Sequence, residues 1–479
     1  MISRLSVLGE EEIAAIHDAS LVILRDVGVQ TPNSEVLGAL AEAGASVDFS
    51  QKVAKIPENL VAEALEGAGK QFVLYGRSRA KMARYGYGDF VLVSSPGQFS
   101  WIDEDGGPRR DPTSEDARRG ILVGDALEHT DIVGALGMAL DIPTPIRDVW
   151  MAAELVKGTS KPTHVWVANG TTLRYILEIY EAAMGGAEAH RQYPMIAGFV
   201  EPISPLRFAE TGLEILITCA RYGLPLFFGP MVQAAATGPA TLAGTLALEN
   251  AEILAGIVIA QLFGPGCPVC YGGIPHIMDM RTMQTSFGSP EQGLMAVAMA
   301  QAAQRYGLPC YVNVGLGDSK LTDAQSGLER GMTLLMGALA GADTFGHMGI
   351  AGADQGASLE QLIVDNAMAA YVKRILRGFA VNGETLALEV IKRVGIGGNF
   401  LADKHTVTHF RQELWSSEAF DRRDWQSWWD DGARTMGQWA REKKHQILSE
   451  HSPEPIDPDL AREIDGVIAA ARRELITEA

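Results

Sequence analysis

The sequence predicts an α/β protein built around a (β/α)8 TIM barrel, with an N-terminal α+β segment and a helical C-terminal extension. Three observations carry this. Short apolar runs alternate with amphipathic stretches from residue 131 to residue 350. Helical periodicity precedes that rhythm and gives way to β-rich stretches near residue 71. Beyond residue 390 the chain turns Gly-rich, then aromatic and strongly charged. The boundaries drawn on these shifts are 1–115, 116–390 and 391–479.

Taken in order, "EEEIAAIHDASLVILRDVGV", "NSEVLGALAEAGA" and "PENLVAEALEGAG" space apolar residues three and four apart, with Asn33 and Pro57 near helix starts and glycines near the ends. "QFVLYG" and "DFVLVSSPGQFSWID" follow as strands. Seven apolar runs come next: 131–140, 163–169, 194–202, 224–231, 268–274, 308–315 and 343–350. Helical segments such as "TLAGTLALENAEILAGIVIAQLF" separate them, which is the pattern of βα units around a parallel sheet. The eighth strand is either "FVLVSSPG" or lies beyond residue 375. A doubly wound sheet is the competing architecture, and the lack of a GxGxxG after the first strand counts against it.

The 479 residues are 47% hydrophobic, ample for a large core, and carry a net charge of −19. Proteins that neutralise phosphate backbones are usually basic, so nucleic acid is not an expected partner. No basic segment and apolar run open the chain, and charged or glycine residues interrupt its apolar helices. No membrane association and a cytoplasmic location are the expectation. Of four cysteines, Cys267 and Cys270 form "CPVC", but no second pair or nearby histidine completes a zinc site, and ordinary buried thiols are expected. His405 and His409 share an i, i+4 spacing without a third ligand, so no metal is assigned.

Side-chain parity picks out the candidate site. Alternate residues of a barrel strand face inward, and active sites lie at the C-terminal ends of the strands. In "LPCYVNVG" the apolar set Cys310, Val312 and Val314 suits the helices, leaving Tyr311 and Asn313 facing in. The same reasoning turns His164 and Trp166, Tyr271, Phe345 with His347, and Glu201 inward. The loop "LGDSK" then places Asp318, Ser319 and Lys320 at the mouth. No HExxH, P-loop or GxSxG is present.

The stretches "GDSKLTDAQSGLERG", "LAGADTFGHMGIAG", "FGSPEQGLMAVAMAQ" and "NGETLALEVIKRVGIGGNFLADKHTVTHFRQELW" together resemble the trimethylamine methyltransferase family. The resemblance implies a (β/α)8 barrel that moves a methyl group from an amine to Co(I) of a corrinoid (cobalamin) carried by a separate protein. The archaeal trimethylamine enzymes contain pyrrolysine. This chain has only standard residues, so it is similar to the branch that includes glycine betaine methyltransferase. A quaternary ammonium such as glycine betaine releases a neutral amine when it loses methyl, whereas neutral trimethylamine needs prior activation.

A quaternary head has no N–H, so aromatic faces must hold it, each contributing about 0.5–2 kcal/mol by cation–π attraction. Phe99, Trp101, Trp166, Tyr271 and Phe345 are the expected rings. His347, Asn313 or Lys320 would hold a substrate carboxylate. No essential acid or base is expected, and the catalytic contribution is alignment with water excluded. The competing readings are another methylamine (trimethylamine, proline betaine or carnitine), a barrel hydrolase or lyase using Glu201, His347 and Asp318, and a cytosolic amine sensor. The charged C-terminal helices suggest a homo-oligomer.

Overall fold

The structure is a computed structural model describing residues 4–476. It is a mixed α/β fold around a six-stranded, all-parallel sheet. In spatial order the strands are Val91–Ser94, Thr344–Met348, Cys310–Val312, Val269–Gly273, Leu226–Phe228 and Gly198–Val200. Single parallel bridges extend it: Val93 pairs with Ile132, and Val133 with Thr163. The runs at 131–140 and 163–169 thus lie alongside the sheet but form no continuous strands. Gly134 explains the close approach there, since a Cβ on it would fall 2.2 Å from the Ser95 carbonyl oxygen.

Pairing of Val91–Ser94 with Thr344–Met348 selects "FVLV" over a strand beyond residue 375. It also moves the first sheet strand upstream of the expected boundary at 116. Sequence could not show this, because the strand pairs with a partner some 250 positions away (Thr344 with Val91, Phe345 with Leu92).

Two cores follow from this layout. The larger lies between sheet and helices and includes Val269, Val312, Val314 and Phe345. The smaller lies on the inner face, where Cys270, Phe227 and Tyr311 meet Phe72, Leu74, Ala83 and Tyr85. The last four belong to the hairpin Phe72–Tyr75 and Met82–Tyr85. Phe72 and Tyr85 stack at 4.6 Å and both meet Phe227 edge-on.

Among the described residues one helix, Leu242–Phe263, is long and apolar enough to cross a membrane, contrary to the expectation that every such stretch is interrupted. It is instead the central core helix, with 89% of its most apolar window buried. Its polar residues are satisfied inside the protein: Glu249 accepts from the Val232 and Ile274 amides, and Glu252 from Ser204 Oγ and the Leu206 amide. Helix Glu10–Val22 packs along it.

At the C-terminus, helix Met436–Glu450 packs on helix Leu359–Arg377, where Lys444 meets Glu360 at 2.8 Å, both buried. Helix Pro458–Ile476 lies on Gly170–Met184 and Arg147–Gly158. Both helices therefore fold back on their own chain.

Candidate functional site

At the C-terminal ends of the parallel segments is a cavity of about 570 Å³. Four of the expected residues line it: Phe99, Trp166, Asn313 and His347. Trp166 is the hub. It meets Phe199 edge-on at 5.5 Å and His347 edge-on at 6.0 Å. His347 also packs at 5.5 Å from His164 and 6.4 Å from Tyr311. Burial pushes His347 down to about 4, and burial with the neighbouring His347 pushes His164 down to about 3. Both imidazoles are neutral at pH 7, so neither adds positive charge to the cavity.

Asn313 is buried, and its Oδ1 accepts from Tyr311 Oη at 3.0 Å. Gly346 leaves it room: a Cβ there would lie 2.2 Å from Asn313 Oδ1.

The other four expected residues do not reach this cavity. Trp101 is buried against Gly137 in a strand paired with Arg109–Arg110. Tyr271 faces the helices, donating from Oη to Asn250 Oδ1 at 2.9 Å. The inner face of its strand carries Cys270 and Gly272 because Tyr311 occupies the space; a Cβ on Gly272 would sit 2.7 Å from Tyr311 Cβ. Phe345 also faces outward, 4.5 Å from Phe90. The strand register shifts between Phe345 and Met348, so the extra residue breaks simple alternation and only His347 turns inward. Lys320 is exposed, its Nζ bonded to the Asp318 carbonyl at 2.7 Å.

The "LGDSK" loop works as scaffold. Asp318 accepts from Ser286 Oγ and from the Phe287 amide at 2.7 Å, fixing a ring that lines the cavity. Ser319 Oγ donates to Asp323, which caps helix Ala324–Ala340. The Ser319 and Gly317 carbonyls accept from the amides of Gly352 and Ala353. Those amides belong to a turn in which Ala353 and Asp354 have φ of +51° and +65°, sparsely populated for residues with side chains.

This turn carries Asp354 to the cavity, where it bonds to Gln98. Glu201 lines the same cavity. Desolvation, then the nearby Asp354 charge, pushes its carboxyl up to about 7. Asp354 is raised as well, by desolvation. Arg109 lines the cavity too, its guanidinium donating to the Gln355 carbonyl at 3.0 Å. Sequence reasoning weighed Glu201 only as an acid or base and missed Asp354, Arg109, Gln98 and Phe287. For Asp354 the available signal was its place just past "GHMGIAG", after a strand already assigned to the mouth.

A larger cleft of about 800 Å³ lies beside Leu127, His129, Lys373 and Trp415, away from the strand C-termini. The inward strand-end side chains converge on the smaller one. Among the described residues no three His, Cys, Asp or Glu side chains gather as metal ligands. All four cysteines are buried and unpaired. His405 and His409 lie 4.3 Å apart on one helix with their rings tilted by 40°.

The family model described as trimethylamine methyltransferase (MTTB) matches residues 1–476. The trimethylamine methyltransferase MttB of Desulfitobacterium hafniense is 34% identical over 465 residues, covering 97% of this chain and 94% of that one. The glycine betaine methyltransferase of another strain of that species is 30% identical over 477 residues, covering 99% of each. The crystal structure of the Methanosarcina barkeri monomethylamine methyltransferase (MtmB) has a similar fold, with a TM-score of 0.51 over 99% of this chain and 88% of that one at 10% identity.

Proposed function

Since this chain belongs to the trimethylamine methyltransferase family and is by that membership a methyltransferase, we propose that it removes a methyl group from a quaternary amine resembling glycine betaine and passes it to Co(I) of a corrinoid held by a separate protein. On this reading the eight parallel segments form a (β/α)8 barrel and the cavity at their C-terminal ends is the active site.

The observation that carries the proposal is the pairing of aromatic rings with two carboxylates in one cavity. Trp166, Phe99 and Phe287 supply apolar and π surface, and Glu201 and Asp354 supply negative charge. With both histidines neutral, Arg109 is the one cationic side chain lining the cavity among the described residues, and it sits at the exposed rim. A permanently positive nitrogen fits beside Trp166 and the acids, and a substrate carboxylate fits at Arg109. Arg109 thus takes the role expected of Lys320.

A volume of about 570 Å³ suits a small amine. On this reading the acceptor reaches the methyl group from the mouth of the cavity, past exposed Phe99. The corrinoid supplies the nucleophile. The chain's own residues hold the ammonium head, turn one N–CH3 bond toward the opening and keep water from the fold's interior. The leaving group is a neutral tertiary amine, so no proton needs to move. Four buried, unpaired cysteines fit a cytoplasmic setting.

Reduced cobalamin tests the function. Purified protein, Co(I)-cobalamin and a panel of glycine betaine, proline betaine, carnitine, choline and trimethylamine should show loss of the Co(I) absorbance with a quaternary member. Loss with trimethylamine alone, or with none, contradicts the proposal.

A further inference from the structure

The core helix Leu242–Phe263 carries two fully buried carboxylates, Glu249 and Glu252, in an otherwise largely apolar stretch. Their partners are backbone amides and one hydroxyl, and among the described residues no cation pairs with either. Burial pushes the Glu252 carboxyl up to about 7. Burial, and then the neighbouring Glu252 charge, raise Glu249 well above the ordinary carboxylate range. Apolar side chains of similar size would burden the fold less. What these two hold in place therefore explains them better than stability does.

They hold the mouth of the cavity. Glu249 accepts from the Ile274 amide on Oε1 at 2.8 Å and from the Val232 amide on Oε2 at 3.0 Å. The Ile274 amide is shared with the Pro230 carbonyl at 2.8 Å, which ties the two loops together over the carboxylate. Glu252 accepts from the Leu206 amide on Oε1 at 2.6 Å and from Ser204 Oγ on Oε2 at 2.7 Å. These donors follow three neighbouring sheet strands, Gly198–Val200, Leu226–Phe228 and Val269–Gly273. The same loops bring Glu201, Met231 and Ile274 to the cavity. Two glycines let the carboxylates reach. A Cβ on Gly273 would lie 2.2 Å from Glu249 Oε1, and one on Gly256 would lie 2.5 Å from the Phe228 ring, so the helix sits close against its strand.

We propose that Glu249 and Glu252 are positioning residues, which set the three loops that place Glu201, Met231 and Ile274 around the amine. The proposal rests on the reading of this cavity as the amine site.

Glutamine separates the two positions. Glu249 faces two N–H donors; a glutamine offers them one oxygen and sets its own NH2 against the other amide. Glu252 faces one N–H and one hydroxyl; the Ser204 hydroxyl accepts as well as donates, so a glutamine satisfies both. The test is amide hydrogen exchange at Val232 and Leu206 without amine, together with calorimetric binding of glycine betaine to the same folded proteins. Glu249→Gln should speed Val232 exchange and weaken glycine betaine binding, each by about tenfold. Glu252→Ala should do the same at Leu206, while Glu252→Gln should stay within about twofold of the wild type. If Glu252→Ala does not fold, the two glutamine variants decide. Unchanged Val232 exchange in Glu249→Gln, faster exchange with unchanged affinity, or a Glu252→Gln as impaired as Glu249→Gln would each overturn the proposal. A wild type that binds no amine would sink the reading of the cavity instead, and the exchange pattern would still decide whether the carboxylates fix the loops.

Discussion

Trp166 and Glu201 carry the most specific expectations. Trp166→Ala removes the ring on which the aromatic cluster turns and should weaken quaternary amine binding by about 2 kcal/mol, near 30-fold, by calorimetry. Glu201 gives a pH signature. Its carboxyl is raised to about 7, and the cation binds its ionised form. Affinity should therefore be full above pH 7 and fall as pH drops through 7; Glu201→Gln should bind more weakly and lose that dependence. Tyr271→Phe is the contrast: loss of the buried hydroxyl's bond to Asn250 should lower stability by about 1–3 kcal/mol in denaturant titrations and leave substrate affinity unchanged. Four of the eight expected binding residues line the cavity. Those misplaced failed for local reasons. A register shift broke the alternation that put Phe345 beside His347, and Tyr271 found a hydrogen-bond partner, Asn250, on the preceding helix. Trp101 showed only that it is aromatic, which a core position satisfies equally well.

At the scale of elements, the polar loop at 317–320 is a template for its neighbours. Glu329 Oε2 accepts from the Asp318 amide at 2.7 Å and the Ser319 amide at 3.2 Å, and the loop's carbonyls in turn hold the strained turn bearing Asp354. Glu329→Ala should raise KM for the amine, although Glu329 does not line the cavity, and should cost about 1–3 kcal/mol of stability. Beneath it, Arg330 and Asp365 form a buried pair at 3.3 Å, and Asp365 also accepts from the Gly349 amide at 2.8 Å. Asp365→Ala leaves that guanidinium buried without its counter-ion and should cost about 3–5 kcal/mol in denaturant titrations. Strand and helix alternation was legible because apolar periodicity is local. The inner hairpin Phe72–Tyr85 was visible as β-rich text, but its place beneath the cavity depends on contacts with Phe227 and Tyr311 that no local pattern encodes. Glu201 and Asp354 stayed unpaired in the sequence for the same reason, being far apart until the sheet brings them together.

At the scale of the whole molecule, the parallel segments gather rings and carboxylates from distant parts of the chain into one cavity at their C-terminal ends. The central claim is that rings and carboxylates at the cavity hold a permanently charged nitrogen while an external cobalt takes its methyl group. The initial rate of Co(I)-cobalamin methylation by glycine betaine, compared between the wild type and Trp166→Ala, tests it most directly. The account predicts measurable methylation by the wild type and a loss of about tenfold or more in kcat/KM for the variant. An inactive wild type, or a variant that matches it, would contradict the account.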